Sequence, residues 1–319
     1  MASGLRVAVT GAAGSVGAML VERLAASDDV DGVVAFDNRP LTIEHPKVAR
    51  FHMDIRQPYA DILREYGVDA LVHLAFLLRP GRNREFVRRV NVGGTAQTLR
   101  ACKEAGVRQI LYFSSTTVYG PHRDDPLPYT EESPVRPVRG FQYAEDKAAT
   151  ELMLDAFMAD NPDTCVTVLR GCVIMGPRSD NFIAQAFRKP FLVSIAGADP
   201  QMQFMHEDDA QEALELCLFE HVPGVYNITG QGTAAFSEVA QVAGRRSIAV
   251  PAPLLTFLTQ ASWALQIQSD SQASGLTMMR FPWFASNEKF TRETGFRPRY
   301  TSREALEAST LARHAQGAA

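Results

Sequence analysis

The sequence predicts an α/β protein in which a doubly wound parallel sheet carries a smaller C-terminal lobe. Short apolar runs alternate with helical patterns of about 12 to 20 residues through the first half of the chain, which is typical of βαβ units. The runs are nearly continuous in apolar character, as in strands that are covered on both faces. A glycine-rich loop joins the first run to the first helix.

The elements follow in a regular order as far as Arg170. An apolar run ends at Asp37, and a further one ends at Asp54. Residues 5–10, 30–36, 70–74, 109–114 and 165–169 are predicted strands, and residues 14–26, 86–105 and 141–159 are predicted helices.

Beyond Arg170 the pattern is irregular and rich in proline, except for a helix at 208–219 followed by a strand at 225–228. We therefore expect residues 1–170, together with 206–229, to form the sheet domain. Residues 171–205 and 230–319 would form the smaller lobe, at the edge of the sheet where ligands of open α/β sheets bind.

The composition is that of an ordinary globular protein. Of 319 residues, 46% are hydrophobic and 21% are charged, and the net charge of -4 gives no reason to expect a nucleic-acid partner. The four cysteines have no paired or metal-ligand spacing, which predicts reduced thiols and no metal site. The first residues form no signal peptide and no apolar run is long enough to span a membrane, so we expect a cytoplasmic protein.

The glycine loop has the spacing of a dinucleotide site. Gly11, Gly14 and Gly17 stand three residues apart between a strand and a helix. The first permits a tight turn, the second lets a pyrophosphate approach the positive end of the helix, and the third lets the helix pack closely on the sheet. An ordinary glycine-rich turn is the alternative, since the spacing alone is not specific.

Acidic residues at the next two strand ends support the dinucleotide interpretation. Asp37 follows Gly17 by 20 residues, where a carboxylate can accept both ribose hydroxyls and repel a 2′-phosphate. This favours NAD, whereas Arg39 would suit the 2′-phosphate of NADP. Asp54, followed by Ile55, is placed to meet the adenine, but it is also suited to cap a helix or turn.

A tyrosine and a lysine are placed to share one helix face. Tyr143 and Lys147 are four residues apart in a predicted helix. A free phenol titrates near ~10, and a neighbouring cation lowers that pKa, so Tyr143 can exchange a proton while a hydride moves to or from the cofactor. Ser115, at the end of a predicted strand, completes a pair of donors for the reacting oxygen. Each motif alone could be an exposed helix or turn; together they predict a catalytic site.

Seven motifs follow one another along the chain: TGAAGSVG, HLA, NVGGT, SSTTVYG, YAEDK, LRGCVIMGP and FMHEDDAQEAL. In these motifs and their order the whole chain resembles NAD-dependent epimerases and dehydratases, which are extended short-chain dehydrogenases and include UDP-galactose 4-epimerase. This resemblance implies a Rossmann-type NAD-binding domain, a homodimer through the long helices at 86–105 and 141–159, and catalysis by Ser115, Tyr143 and Lys147.

The resemblance also implies a set of binding residues. Thr116, Asn181 and Arg280 match substrate positions. The cofactor contacts would come from Gly11, Gly14, Ser15, Val16, Gly17, Asp37, Asn38, Asp54, Ile55, Leu74, Ala75, Asn91, Tyr143, Lys147 and Cys172.

The chain departs from the sugar-nucleotide enzymes at two substrate positions. Val173 stands where those enzymes usually have an asparagine, and Met202 where they often have an arginine that clamps the diphosphate. The stretch 251–266 adds an apolar helix suited to the lobe core, an apolar pocket, a dimer interface or a membrane surface.

Four functions therefore remain open. The first is epimerisation or dehydration of a small-molecule substrate, a nucleotide sugar, with NAD reduced only transiently. The second is net oxidation or reduction of a smaller or more apolar alcohol or carbonyl compound. Other lyase-like chemistry is the third, and a catalytically idle NAD(H)-sensing regulator is the fourth.

Overall fold

A computed structural model describes residues 4–79, 81–187, 189–268 and 272–317. Its thirteen described strands are short and mostly apolar. In chain order they are β1 Leu5–Thr10, β2 Val30–Asp37, β3 Val48–His52, β4 Ala70–His73, β5 Gln109–Ser115, β6 Cys165–Gly171, β7 Val173–Met175, β8 Phe191–Ile195, β9 Gln201–Met202, β10 Phe204–His206, β11 Gly224–Ile228, β12 Ala234–Ala235 and β13 Arg246–Val250.

Helices connect these strands. They are α1 Ser15–Ala26, α2 Ala60–Glu65, α3 Arg84–Arg88, α4 Gly94–Ala105, α5 Gln142–Asp160, α6 Phe182–Ala186, α7 Glu207–Glu220, α8 Phe236–Val242, α9 Ala252–Ala264, α10 Glu288–Thr294 and α11 Ser302–Gly317. A single turn of 3-10 helix covers Thr116–Val118, and a longer 3-10 segment covers Ala273–Met279.

Seven strands form one parallel sheet, which confirms the predicted fold class. Their order across the sheet is β3-β2-β1-β4-β5-β6-β11, and every neighbouring pair is parallel. The order reverses between β1 and β4, and ligands of open α/β sheets bind at the carboxyl ends of the strands beside such a reversal.

Apolar side chains cover both faces of this sheet. One core joins β1 and β2 to α1 and α7, and includes Leu20, Val33 and Leu214. The opposite core joins the same sheet to α4 and α5, and includes Leu71 and Leu154. This double coverage explains why the strands are apolar along their whole length.

The C-terminal part of the chain forms small sheets around a separate apolar core. β7 pairs with β10 and β8 with β13 in parallel register, while β9 and β12 are antiparallel. Their core includes Met175, Phe187, Phe204 and Val239. Within the described ranges, no helix is both long and apolar enough to cross a bilayer.

The helix predicted at 86–105 differs from the observed one. α3 and α4 are joined by a π-helical turn, Arg89–Gly93, which accommodates an extra residue. Gly94 follows it, and a Cβ atom there would lie 2.5 Å from Cδ1 of Ile55. A larger residue at this position would therefore have to displace the Ile55 side chain. The wide turn carries Asn91 inward, where it is fully buried.

Candidate active site

The glycine loop brings three backbone segments into contact at the carboxyl ends of β1 and β4. Gly11 has a φ of 73°, and a Cβ atom there would lie 2.6 Å from the amide nitrogen of Ala75. At Gly17, a Cβ atom would lie 2.2 Å from the Gly11 carbonyl oxygen. A side chain at Gly11 would push the loop away from the end of β4, and a side chain at Gly17 would push α1 away from the loop, so this packing requires glycine at both positions.

The first turn of α1 faces this loop with its amide groups. Gly14 precedes the helix in an extended conformation and supplies no side-chain cap. A Cβ atom there would lie 3.1 Å from the Gly11 carbonyl oxygen, so the loop closes tightly over the helix N-terminus. Amide groups at the positive end of a helix that have no side-chain cap fit the pyrophosphate of a dinucleotide.

Asp37 ends β2 beside the loop and is nearly buried. Its carboxylate accepts hydrogen bonds from the amide groups of Ala13 and Arg39, each at 2.9 Å, and from Nε of Arg39 at 3.3 Å. These bonds hold the carboxylate at the mouth of the loop. Each carboxylate oxygen can accept further bonds, so the position suits two ribose hydroxyls.

Asp54 makes a local ion pair. Its carboxylate accepts bonds from the Arg56 guanidinium at 2.5 and 3.0 Å and from the Arg56 amide at 2.9 Å. The Arg56 hydrogen bonds lower the pKa of Asp54. Both the turn-capping role and a contact with adenine are compatible with this position. The neighbouring Ile55 is buried against α4.

The other expected cofactor residues lie on the same sheet edge or in the core next to it. Val16 accepts a hydrogen bond from Gln211 through its carbonyl oxygen. Leu74 and Ala75 donate to the backbone and hydroxyl of Thr10, respectively. Ser15 opens α1, Asn38 follows β2 and is exposed, and Cys172 is buried beside β11, donating its amide to the Ile228 carbonyl.

Lys147 lies in a box of aromatic rings. Its ammonium is 3.9 Å from the ring centroid of Phe76, 4.6 Å from Tyr112 and 6.0 Å from Tyr143, and it donates to the Phe113 carbonyl at 2.6 Å. Burial lowers the pKa of Lys147 to about 7, which Glu151 opposes. The ring faces and the carbonyl supply the negative potential that holds a buried cation.

The structure brings Tyr143 and Ser115 together next to this lysine. Burial raises the pKa of the Tyr143 phenol, and the hydrogen bond with the Ser115 hydroxyl acts in the opposite direction. Ser115 itself accepts from the amide and hydroxyl of Thr117, at 3.3 and 3.0 Å. The three residues predicted to act together therefore lie at one point, between the end of β5 and the first turn of α5.

Asn91 forms hydrogen bonds that hold the segment after β4 next to this site. Its amide oxygen accepts from the Leu77 amide at 2.8 Å, and its nitrogen donates to the Leu77 carbonyl at 3.3 Å and to Asp146 at 3.2 Å. Asp146 also accepts from Arg88 at 3.0 Å. Asn91 thus fixes the segment after β4 through hydrogen bonds.

Phe76 is a site residue that sequence reasoning missed. Its ring packs edge-on against Tyr143, with centroids 5.6 Å apart and planes at 88°, while its face covers the Lys147 ammonium. An available signal was its place directly after HLA, at the carboxyl end of a strand beside the point where strand order reverses.

The three expected substrate residues have different surroundings. Thr116 follows Ser115 and is 3% exposed, and among the described residues its hydroxyl has no hydrogen-bond partner. Asn181 caps α6: it accepts from the Ala184 amide and donates to the Ile174 carbonyl. Arg280 is exposed and lines a cleft of about 420 Å³ with Arg123 and the start of α9. Neither Asn181 nor Arg280 is hydrogen-bonded to Ser115, Tyr143 or Lys147 in the described ranges.

Met202 and Val173, the two positions at which the chain departs from the sugar-nucleotide enzymes, pack in the interior of the lobe. Met202 is 8% exposed and belongs to the lobe core, and Val173 packs against that core from β7. The two positions therefore contribute packing, and neither offers a hydrogen bond to a polar substrate.

Known proteins resemble this chain along almost its whole length. A solved structure of MoeE5 in complex with UDP-glucuronic acid and NAD is 25% identical and superposes with a TM-score of 0.77, covering 98% of this chain and 99% of that one. A UDP-glucose 4-epimerase from Thermotoga maritima, solved with UDP-glucose, also has a TM-score of 0.77, with 18% identity and 98% and 99% coverage.

Curated protein sequences are also similar to this chain. An uncharacterized protein of Mycobacterium tuberculosis is 29% identical, over 94% of this chain and 82% of its own. UDP-glucuronic acid decarboxylase 2 of Arabidopsis thaliana is 33% identical, over 75% of this chain and 56% of the plant protein. The model of the NAD-dependent epimerase/dehydratase family matches residues 7–229, which is more than half of the chain. The protein is therefore a member of the NAD-dependent epimerase/dehydratase family, within the short-chain dehydrogenase/reductase superfamily of enzymes.

Proposed function

We propose that the protein transfers a hydride between NAD and a hydroxyl-bearing carbon of a nucleotide sugar, with Tyr143 as the acid-base group. The observation that carries the proposal is the burial of Lys147 among aromatic rings, beside a phenol whose hydrogen-bonding neighbour is Ser115. A buried ammonium that forms no ion pair with the described residues costs folding free energy, and assistance to a neighbouring phenolate is the chemical use that this placement supports.

Residues of the first half of the sheet would hold NAD. The loop from Gly11 to Gly17, with Ser15 and Val16, suits the pyrophosphate, and Asp37 suits the adenosine ribose. Asn38, Asp54, Ile55, Leu74, Ala75, Asn91 and Cys172 complete the proposed cofactor contacts. When bound, NAD supplies the hydride acceptor and a positive ring near the phenol.

Tyr143, Lys147 and Ser115 would then carry out the proton transfer and stabilise the reacting oxygen. Tyr143 takes the proton of the substrate hydroxyl at its phenolic oxygen and returns it to a carbonyl oxygen in the reverse step. Its pKa is raised by burial in the protein alone, so the ammonium of Lys147 is needed to favour the phenolate. Ser115 donates a hydrogen bond to the same substrate oxygen, on which charge develops.

A nucleotide sugar is the substrate class that the comparisons favour. MoeE5 was solved with UDP-glucuronic acid, and the Thermotoga enzyme with UDP-glucose. In this chain the buried Thr116 hydroxyl lies next to Ser115 with its bonding capacity free among the described residues, so we propose that it binds a sugar hydroxyl. Arg280 would meet the diphosphate from the cleft wall, whereas Asn181 would act through the loop that it caps.

The lobe core favours a second candidate. Because Val173 and Met202 offer only apolar surface, the chain could act instead as a dehydrogenase or reductase of a smaller or more apolar alcohol or carbonyl compound. That enzyme would release NADH in every cycle, whereas an epimerase or dehydratase returns its cofactor to the oxidised form.

Cofactor retention distinguishes the two candidates. The purified protein is passed through gel filtration, its nucleotide content is measured, and UDP-glucose or UDP-glucuronic acid is then added. Retained NAD, with conversion of the sugar and no accumulation of NADH absorbance, supports the first function. Freely exchanging cofactor and absorbance that grows with an alcohol substrate support the second. A protein that binds no NAD at all would contradict both.

We also propose a cytoplasmic homodimer in which residues 1–170 and 206–229 bind the cofactor, and 171–205 and 230–319 bind the substrate. The four cysteines are free in the structure, as is usual in a reducing compartment. On α5, Leu152 is 70% exposed, which suits a dimer contact through the long helices α4 and α5. Sedimentation equilibrium measures the mass, and a monomer would contradict the dimer.

A further inference from the structure

His73 lies at the carboxyl end of β4, buried between the end of β1 and helix α4. Both ring nitrogens have partners: Nδ1 lies 2.7 Å from the Thr10 hydroxyl oxygen, and Nε2 lies 2.9 Å from the Thr95 hydroxyl oxygen. All three side chains are buried. Bulk water therefore does not compete for these bonds, and the protein groups alone decide which atom donates in each of them.

The direction of every bond follows from the last group in the series. The Thr95 hydroxyl donates to the Asn91 main-chain carbonyl at 2.7 Å, and a carbonyl can only accept. A hydroxyl has one hydrogen, so Thr95 must accept its second bond from Nε2–H of His73. In a neutral ring Nδ1 is then bare and accepts from the Thr10 hydroxyl. The Thr10 oxygen in turn accepts from the Ala75 amide at 3.4 Å.

The surroundings of His73 keep its ring neutral. Burial, together with the positive charge of Lys147, lowers the pKa of His73 to about 3. The Tyr112 ring stacks on the imidazole with centroids 5.8 Å apart, and the same ring lies 4.6 Å from the Lys147 ammonium. A second positive charge is disfavoured so close to the first. The imidazole is therefore the Nε2–H tautomer throughout the neutral pH range.

This series of bonds, from the Ala75 amide to the Asn91 carbonyl, is connected to both chain neighbours of Phe76. Ala75 is bound at its first member, and the side chain of Asn91, at its last member, holds Leu77 by two hydrogen bonds. Phe76 lies between Ala75 and Leu77. Its backbone is thereby fixed where its ring covers the Lys147 ammonium at 3.9 Å.

We propose that His73 is a positioning residue for the proton-transfer pair: as the Nε2–H tautomer it orders the bonds that hold Phe76 against Lys147 and Tyr143. This role rests on the hydride-transfer function proposed above. An imidazole suits the place because it presents a donor and an acceptor on opposite sides of one rigid ring, as the hydroxyls of Thr10 and Thr95 require. His73 exchanges no proton itself, because both of its nitrogens are engaged in this series.

Nitrogen-15 NMR of protein with labelled histidine rings tests the tautomer. Two-bond proton–nitrogen correlations distinguish the protonated nitrogen from the bare one, and His73→Gln identifies the His73 signals among those of the seven histidines. We expect a hydrogen on Nε2 and no change between about pH 5 and pH 8. A ring that titrates in this range, or that carries its hydrogen on Nδ1, would overturn the proposal. The measurement needs neither substrate nor turnover.

Thr95→Val tests the positioning role, because it removes the acceptor of Nε2–H and nearly keeps the shape of the side chain. We expect a roughly 2- to 10-fold lower rate of bound-cofactor reduction and an acidic limb shifted to higher pH, since the Phe76 ring then covers the ammonium less well. Thr95→Ser keeps the hydroxyl and should restore the wild-type pH profile. Thermal unfolding checks that each variant is folded.

Thr98→Val is the matched control. It removes another buried hydroxyl from α4, one that is bonded to Tyr59 at 2.8 Å and lies outside the series. We expect a lower Tm with an unchanged pH profile, which separates positioning from a general loss of stability.

A double variant tests whether the effect passes through Phe76. If Thr95 acts by holding that ring, Thr95→Val should change the rate by less than about two-fold in a Phe76→Leu background. The proposal is overturned if the effects of the two substitutions multiply, if Thr95→Val keeps the wild-type profile, or if Thr98→Val shifts it equally. A wild type that transferred no hydride would refute the proposed function and this role together, whereas the wrong tautomer would refute this role alone.

Discussion

The Phe76 ring lies face-on to the Lys147 ammonium at 3.9 Å and edge-on to Tyr143, so one aromatic side chain contacts both members of the proposed acid-base pair. Its position depends on Asn91, which holds the next residue, Leu77, by two hydrogen bonds. The segment after β4 therefore supports the catalytic helix without contributing a group that exchanges a proton.

Replacing Phe76 with leucine should slow the proton transfer. The substitution keeps an apolar side chain but removes the ring face, whose attraction for a cation is about 0.5–2 kcal/mol. The ammonium then supports the phenolate less well. We expect a roughly 2- to 30-fold lower rate of bound-cofactor reduction and a shift of the acidic limb of the rate profile to higher pH. Stopped-flow absorbance at several pH values measures both.

Two variants serve as controls for Phe76. Phe76→Tyr keeps the ring and should retain the wild-type profile, and Phe219→Leu changes a partly exposed ring on α7, far along the chain from the site. A Phe76→Leu protein with an unaltered pH profile would remove the proposed electrostatic role.

Tyr143→Phe should abolish turnover while NAD affinity stays within a few-fold of the wild type. The phenol supplies the proton transfer, which contributes roughly 10² to 10⁴-fold to the rate, whereas the glycine loop and Asp37 supply cofactor affinity. Turnover assays and cofactor titration by fluorescence measure the two effects. Tyr66→Phe, on an exposed turn, is the control. Normal turnover by Tyr143→Phe would refute the proposed base.

Lys147 should make the stability of the cofactor-free protein depend on pH. Burial lowers its pKa to about 7, so between pH 7 and about 10 the unfolded chain binds a proton that the folded chain has lost. The free energy of unfolding therefore rises with pH in this window, by up to ~1.4 kcal/mol per unit. In Lys147→Met this contribution is absent.

Urea unfolding at pH 7 and pH 9 measures this pH dependence of the free energy of unfolding. The wild type should gain about 2 kcal/mol more than Lys147→Met over this interval. Lys103→Met, an exposed lysine on α4, should behave as the wild type does. Equal pH dependence in all three proteins would show that Lys147 is charged throughout.

Asp37→Ala should weaken NAD by roughly 10- to 100-fold, which corresponds to about 1.5–3 kcal/mol for hydrogen bonds to a charged group. NADP should be affected much less, because the variant frees the Arg39 side chain to meet a 2′-phosphate. Isothermal titration with each nucleotide measures the change. In Asp37→Ala/Arg39→Ala the remaining NADP affinity should fall. Equal loss of both nucleotides in the single variant would place the ribose elsewhere.

The buried pair Arg170–Glu151 should contribute strongly to stability. Both side chains are under 10% exposed, and their closest atoms are 2.6 Å apart. Glu151→Gln leaves the guanidinium without its counter-charge, which costs about 3–5 kcal/mol. The matched control, Glu238→Gln, breaks an exposed pair with Arg303 and should cost less than about 1 kcal/mol. Denaturant unfolding compares the two, and similar losses would contradict the burial argument.

Much of the fold follows from patterns within short stretches of the chain. The apolar strands, the glycine loop and the spacing of Tyr143 and Lys147 depend on local geometry, so they predict the sheet and the arrangement of the trio. The aromatic box around Lys147 joins side chains from the segment after β4, from strand β5 and from helix α5, and no local pattern encodes it. The π turn before α4 is likewise a response to packing, because Asn91 must reach Leu77 and Asp146.

The substrate side was harder to predict for the same reason. Asn181 matches a substrate position, yet its side chain caps α6, a role that its place three residues before Ala184 already favoured. The lobe is built from short strands and turns whose contacts come from distant parts of the chain. Its binding surface therefore depends on tertiary packing that sequence spacing does not reveal.

The contact of Gly11 with Ala75 and with the first turn of α1 has a consequence for how this enzyme could diversify. The ends of β1 and β4 and the start of α1 are aligned by close backbone contacts at Gly11, Gly17 and Ala75, so their alignment does not depend on the side chains of the lobe. Substitutions in the lobe can then accumulate without disturbing that alignment. New substrates can be acquired on one side of the molecule while the hydride chemistry on the other side stays unchanged.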